Sequence, residues 1–344
     1  MVSAAVVSPR AVGGVKYIIE RLLRGLKREG IFVREFAIDH GLFVSDVADL
    51  RLLSELHRYD VIIFMGSIPP LFHVFIKNDI KLLLFVHGFV YHESLATLTQ
   101  GSFKARVGTL YSLARFEFTR KIDRIDAYVC HSVTTCEANR LKRYILLPQF
   151  VFPEEFRHYG DESRAGKKIV RILSYTSYVN SPRLLREDTL ILLMKQISKM
   201  ISKRIEFIII NPMGRSFEWR NVNLVVRRLP FLPRNRFLAL LATADLWIEE
   251  CIDEELRMSS LDAGLVGTPV AKLVHPFFVE RQDYTDEVLW AQTPREFINV
   301  LVDYISDIEN KRYVYSRKYR EFLLSKRSWD SVKHGLLNVI RTSA

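Results

Sequence analysis

Along the first 150 residues, short unbroken apolar runs alternate with longer stretches whose apolar residues recur every three or four positions. The unbroken runs predict strands at Ser3–Ser8, Phe32–Ile38, Asp60–Met65, Lys81–His87, Asp126–Ser132 and Tyr144–Val151. Runs such as VIIF and KLLLFV have no polar face, which is how parallel strands covered on both sides read. Between the first two strands, Val12–Arg28 sets Val15, Ile18, Ile19, Leu22, Leu23 and Leu26 at helical spacing, with Gly30 as a stop. Strand and helix alternating in this way imply right-handed βαβ units on an open parallel sheet.

The pattern breaks at Phe152–Lys168, which carries Pro153, mixed charges and Gly166 without an apolar period, and reads as a linker. It then restarts. Strands are predicted at Ile169–Tyr175, Ile205–Asn211, Asn223–Arg228, Asp245–Glu250 and Pro269–Val274, with helices at Leu184–Ser202, Arg234–Thr243 and Arg257–Leu265. From Pro294 onward the chain reads as helical almost throughout. The expected organisation is an α/β chain of two Rossmann-like, doubly wound parallel-sheet domains, 1–152 and 169–320, joined by 153–168 and followed by a tail, 321–344. Such sheets bind ligands at their strand C-terminal ends, which tandem domains would turn toward a central cleft.

Composition narrows the classes. At 344 residues with half of them apolar, the chain can bury two cores. Three cysteines, Cys130, Cys136 and Cys251, make no disulfide framework and no zinc spacing, so a reducing, cytoplasmic setting is the expectation. The start, MVSAAVVSPR, lacks the basic opening of a signal peptide. The longest uncharged run, Val61–Ile76, is broken by Pro69-Pro70 and falls short of a membrane span. The net charge of +11 calls for an anionic partner: nucleic acid, lipid headgroups or phosphorylated small molecules. Its basic residues are scattered, and no nucleic-acid motif is present, so no specific nucleic acid is expected as a partner.

Several residues could carry chemistry. Gly13-Gly14 opens the first helix, where backbone amides can approach an anion or simply make a tight turn. His87-Gly88 and His131 end strands; His87 could bond a substrate hydroxyl, while His131 reads as structural. The informative stretch is LWIEECIDEELRMSSLDAGLVGTPV, Leu246–Val270. A buried strand runs into an acidic turn, and a helix begins near Leu256. Glu254 stands at the helix mouth and Asp262 eight residues on, about two turns deeper. Carboxylates accept from vicinal hydroxyls, and amides at a helix N-terminus take phosphate, so the segment suits a ligand with both. Acids complementing the helix dipole would account for Glu254 and Glu255 alone, but not for an inward Asp262.

This segment resembles the donor-binding motif of retaining GT-B glycosyltransferases of the glycogen synthase and mannosyltransferase type (glycosyl transferases group 1). Ala244-Asp245 matches the strand opening, Glu254 and Asp262 the two acids, and Gly267-Thr268-Pro269-Val270 the closing tetrapeptide. Val12-Gly13-Gly14-Val15, Tyr59-Asp60-Val61, Val86-His87-Gly88 and Ser328-Trp329 are similar to further family features spread along the chain. The resemblance implies transfer of a sugar from a nucleotide-diphosphate sugar to an acceptor hydroxyl, retaining and metal-independent, with the nucleotide sugar as donor substrate and no cofactor. It implies that His87 and Glu254 contact the transferred sugar and Asp262 the ribose hydroxyls. It implies too that amides near Glu255, Leu256 and Arg257 hold the diphosphate, that Gly13 and Gly14 form the N-terminal loop, and that the last helix returns to the N-terminal domain.

The departures are specific. The second acid is Asp rather than Glu, Glu255-Leu256-Arg257 replaces Gly-Phe-Gly, and Thr176-Ser177 stands where an Arg would grip the diphosphate. The second cation falls on Arg183 by spacing or on Arg186 by the following DTLI; Arg257 or Arg10 could substitute for the first. The acceptor would be a glycan or a lipid-linked glycan. Ser102–Arg124 mixes aromatic and aliphatic residues with six basic ones, and would either lie on the anionic inner face of a membrane or pack inward with its cations snorkelling. Two other readings stay open: a non-catalytic GT-B-like binding protein, and a basic nucleic-acid-binding protein.

Overall fold

The computed structural model describes residues 2–9, 14–38, 50–66, 75–86, 98, 103–121, 124–155, 169–176, 184–212 and 214–342. The chain divides into two compact units, Met1–Pro148 with Trp329–Ala344, and Gln149–Ser328. Most of the expected linker, 156–168, lies outside the described residues. No helix among those described is long and apolar enough to cross a membrane.

In the first unit, β1 (Ser3–Pro9), β2 (Phe32–Ile38), β3 (Val61–Met65), β4 (Lys81–Val86), β5 (Ala127–Cys130) and β6 (Tyr144–Leu146) form one sheet in the order β2-β1-β3-β4-β5-β6. All its pairs are parallel. The accompanying helices are α1 (Gly14–Arg28), α2 (Leu50–Leu56), α3 (Phe103–Lys121) and α4 (Val133–Ala138). β3 is buried throughout, as its unbroken apolar sequence requires, and Ile62, Phe64, Leu82 and Leu84 pack in one core with Leu53, Leu56 and Phe116 of the helices. β5 and β6 fall furthest short of their expected ranges. The Asp126 carboxylate accepts the Leu82 N–H at 2.8 Å, capping the β4–β5 pair with a side chain. Pro148, two residues after Leu146, has no N–H with which to prolong the ladder. Cys130 and Cys136, both buried, are joined in a disulfide, a pairing that the expectation of a reducing setting did not include; Cys251 is free and buried.

In the second unit the sheet contains β7 (Ile169–Tyr175), β8 (Arg204–Ile210), β9 (Phe217–Arg220), β10 (Leu224–Leu229), β11 (Leu246–Glu249), β12 (Val270–Leu273) and β13 (Leu289–Ala291). Their order is β13-β12-β11-β7-β8-β10-β9. Helices α5 (Glu187–Met200), α6 (Arg234–Ala242), α7 (Met258–Leu265), α8 (Pro294–Ser306) and α9 (Ile308–Lys326) accompany it. β9, which the apolar pattern does not predict, is an antiparallel edge strand. Opposed charges pair across that edge: Glu206 accepts from Arg171 at 2.7 Å and Arg227 at 2.6 Å, and Glu218 accepts from Arg227 at 2.7 Å. Asp245 caps β7 by accepting the Arg171 N–H at 2.8 Å, and its carbonyl takes the Tyr304 hydroxyl at 2.7 Å. α7 and α9 pack through Gly264, where a Cβ would come within 2.7 Å of Tyr319. Gly267, at φ +76°, ends the turn after α7.

Two terminal helices, α10 (Trp329–Val332) and α11 (His334–Arg341), group with the first unit. Gly25 on α1 leaves room for the Trp329 ring, which a Cβ would meet at 2.7 Å. Glu29 accepts from Lys333 at 2.7 Å, Trp329 at 3.2 Å and Arg341 at 3.3 Å. Lys81 donates to the Val339 carbonyl at 2.9 Å and the Thr342 hydroxyl at 3.0 Å.

Candidate functional site

The second sheet is built outward from β7: β8 and β10 follow on one side, β11, β12 and β13 on the other. The strand order therefore reverses between β7 and β11, and α/β sheets bind ligands in the crevice at such a switch point. Thr176 follows β7 there, and the acidic turn follows β11. The Thr176 side chain is buried, and its hydroxyl has no hydrogen-bond partner among the described residues. Buried polar atoms are ordinarily hydrogen-bonded, which makes the Thr176 hydroxyl a candidate ligand contact at the switch point.

Neighbouring segments hold the acidic turn on both sides. Leu184 and Cys251 form an antiparallel bridge, with the Leu185 N–H donating to the Glu250 carbonyl at 2.7 Å. On the other side the His275 N–H donates to the Ile252 carbonyl at 2.8 Å. α7 then starts at Met258, with Arg257 as its N-cap and no side-chain cap bond. The helix thus begins one residue after the Arg257 start that the sequence gives, and Glu254 sits in the turn ahead of it. Asp262 lies in its second turn.

Glu249, Glu250, Asp253, Glu254, Glu255 and Asp262 are all buried, which is tolerable only with partners for their charge. Arg257 faces Glu250 at 3.4 Å, Arg234 donates to Asp262 at 2.8 Å, and the fully buried Lys272 stands 3.8 Å from Asp253 and donates to the Glu255 carbonyl. Burial opposes the charge of Arg257, but Cys251, Glu250, Glu249 and Asp253 outweigh it and hold the guanidinium well above its ordinary value. Tyr284, beneath the turn, stays a neutral phenol: burial first, then Asp253, Asp283 and Glu249, push it up. Among the described residues no group of three or more His, Cys, Asp or Glu is arranged to hold a metal ion.

Of the residues expected at the site, Glu254, Glu255, Leu256, Arg257 and Asp262 lie in the turn and on α7, and Arg186 follows Leu184 and Leu185, which bond to Cys251 and Glu250, its side chain 79% exposed. Leu256 contributes only buried apolar volume from its side chain. Two of the amides expected to take phosphate are bonded within the turn: the Glu255 N–H donates to Asp253 at 3.1 Å and the Arg257 N–H to Glu249 at 3.3 Å. Gly14 is the first residue of α1. Gly13, His87, Gly88, Arg10 and Arg183 lie outside the described residues. His131 is buried, with Nδ1 3.0 Å from the Leu147 carbonyl and its ring against Phe85, a structural placement. Sequence reasoning missed Glu249, Lys272 and Arg234. The first two had a signal, a charge within the apolar strands LWIE and VAKL.

No protein-family model matches the sequence, and no curated protein matches it. Solved structures do match along the whole chain. Sucrose-phosphate synthase from Thermosynechococcus elongatus aligns with a TM-score of 0.67 at 13% identity, covering 99% of this chain and 99% of that one. HepE of Anabaena, solved in complex with UDP, aligns at 0.64 with 11% identity over 99% and 100% of the two chains. WaaG, a glycosyltransferase involved in lipopolysaccharide biosynthesis, aligns at 0.61 with 12% identity over 99% and 100%. Likeness at this identity shows the fold: the chain has the two-sheet α/β architecture of GT-B glycosyltransferases.

Proposed function

We propose that the chain is a glycosyltransferase that moves a sugar from a nucleotide-diphosphate sugar to an acceptor hydroxyl, with retention of configuration and without a metal. The observation that carries this reading is the acidic turn with Glu254, placed at the switch point of the second sheet in a fold shared with a structure that holds UDP. In this reading Glu254 accepts from hydroxyls of the transferred sugar, and Asp262, oriented by Arg234, accepts from the ribose. Arg186 meets the diphosphate, with Arg183 as the alternative on the same segment. His87, Gly13 and Gly14 remain in this reading as further contacts of the sugar and the phosphate, as the family resemblance implies. Glu250, Asp253 and Asp262 are already matched by Arg257, Lys272 and Arg234, which favours direct recognition of hydroxyls over metal ligation by these carboxylates.

In the reaction the acceptor oxygen bonds to the anomeric carbon as the bond to the nucleoside diphosphate breaks; the leaving phosphate oxygen takes the electron pair and accepts the proton of the acceptor hydroxyl. Pre-placed cations at that phosphate lower the barrier most, because they cost no reorganisation when charge develops. The acceptor in this proposal is a glycan, free or lipid-linked, met at the inner face of a membrane by α3. Phe103, Val107 and Leu110 of that helix are exposed, whereas Phe116 packs inward.

A panel of UDP-, GDP- and ADP-sugars tests the proposal. One donor should raise the melting temperature and be turned over, and Glu254→Gln should lower kcat by about 100-fold or more, the scale for losing one well-placed polar contact in a transition state. A second reading, a nucleotide-binding protein without activity, is favoured by the internal bonding of the Glu255 and Arg257 amides. Stabilisation by a nucleoside diphosphate with no turnover of any donor would select it.

A further inference from the structure

Parallel pairing of β11 and β12 puts Glu249 and Lys272 in register, on the same face of two adjacent buried strands. Neither side chain is exposed at all. Buried strand positions of this kind ordinarily hold apolar residues, so a carboxylate and an ammonium side by side need a reason. Their bonds supply it. Glu249 accepts the Cys251 N–H at 3.2 Å, the Arg257 N–H at 3.3 Å and the Ser260 hydroxyl. Ser260 is itself fixed by the Trp247 indole N–H at 3.1 Å. Lys272 holds the other limb of the turn through the Glu255 carbonyl and Asp253, whose second carboxylate oxygen takes the Cys251 thiol at 3.2 Å.

The Glu249 carboxylate therefore sits at the N-terminal, positive end of α7, bonded to the N–H of its N-cap residue Arg257 and to the hydroxyl of Ser260 in its first turn. α7 has no side-chain cap bond from Arg257, the residue at its N-cap position; Glu249, on the strand before the turn, accepts that residue's own N–H. A ligand phosphate entering here would have to displace a carboxylate that three donors keep in place, or share the corner with a like charge.

We infer that Glu249 is the resident anion of the α7 N-terminus and a specificity-determining residue, which excludes phosphate from that corner and leaves it to the hydroxyl-bearing part of a ligand. The identity of that ligand rests on the nucleotide-sugar reading above; the filled helix end rests on geometry alone. The consequence for a nucleotide sugar is directional. Its phosphates turn toward Arg186, and the sugar faces Glu254.

The test is calorimetric titration of the full chain and of Glu249→Gln with UDP, GDP and ADP, their monophosphates, and inorganic pyrophosphate. For the wild type, the second phosphate should add no more affinity than one exposed cation supplies, about tenfold. In Glu249→Gln, diphosphate and pyrophosphate binding should tighten by about tenfold, a 1.4 kcal/mol change, with monophosphate binding nearly unaltered. A folded Glu249→Gln that binds diphosphates no better than the wild type, or more weakly, overturns the inference. Pyrophosphate binding gained only in the variant, with no nucleotide bound by either protein, would uphold the inference while sinking the nucleotide-sugar reading. Amide hydrogen exchange on the ligand-free wild type decides the matter if Glu249→Gln does not fold or nothing binds. The Cys251 and Arg257 amides should then be strongly protected, and exchange at the rate of open peptide would overturn the filled helix end.

Discussion

Removing a positive charge from among buried carboxylates and removing one from the rim of the same site should have opposite signatures. Lys272 has no exposure and faces Asp253, so Lys272→Met leaves a buried carboxylate uncompensated; a loss of about 3–5 kcal/mol in urea-induced unfolding is expected. Arg186 is 79% exposed and only 3.4 Å from the similarly open Asp188, so Arg186→Ala should leave unfolding within about 0.5 kcal/mol of wild type. Its effect belongs to the ligand, with diphosphate affinity falling by about tenfold in titration for a lost charge-assisted bond. Equal stability losses in the two variants would contradict this division. At this scale the spacing of Glu254 and Asp262 was enough to find the acidic turn, because two acids ahead of a Gly-Thr-Pro-Val strand start form a local pattern. Lys272 and Glu249 could not be placed the same way. Their meaning lies in cross-strand register, which a single strand's sequence does not contain.

The terminal helices α10 and α11 meet α1 at one carboxylate, and that junction should be pH-dependent. Hydrogen bonding from Lys333 holds Glu29 below its ordinary 4.5 against the opposing effect of burial, with further help from Trp329 and then Arg341. A carboxylate lowered on folding stabilises the fold fully above its unfolded value and loses that contribution as pH falls through the folded one. Unfolding of the wild type should therefore become easier as pH drops from about 5 toward 3, and Glu29→Gln should flatten that part of the profile while costing about 1–3 kcal/mol at neutral pH. The same acid slope in wild type and variant would count against the junction. Lys333 does not disturb this window: bonds first from Asp330 and then from Glu29 raise it above 10.5, so its contribution fades only at alkaline pH. Among the elements, those buried on both faces were legible, since VIIF and LWIE admit no other placement. β9 and β13 were not: FEWR is held by cross-strand charges at an exposed edge, and LWA is only three residues long. The start of α7 at Met258 was legible to within a residue or two, and the bonds of Leu184, Leu185 and His275 to residues 250–252 hold the turn that precedes it.

For the molecule as a whole, a net charge of +11 with an acidic turn buried inside means that its outer surface is more basic than its composition alone conveys. α3 gives that surface a direction. Phe103, Val107 and Leu110, spaced four and three apart, are 83%, 50% and 56% exposed, and Arg106 and Lys121 of the same helix are exposed alongside them. Apolar and cationic residues together outside a helix match a surface that offers hydrocarbon and negative headgroups at once. The two contributions separate experimentally. In sedimentation with phosphatidylcholine vesicles containing phosphatidylglycerol, binding should fall as salt rises from about 0.1 M to about 1 M, because the screening length contracts from about 10 Å to about 3 Å. Phe103→Asp with Leu110→Asp should abolish it at low salt, since each substitution removes apolar insertion and adds repulsion. The same double substitution should leave nucleotide binding to the second unit untouched. Undiminished sedimentation of that variant would remove α3 from the proposed membrane face, and a parallel loss of nucleotide binding would show that the substitutions act through folding.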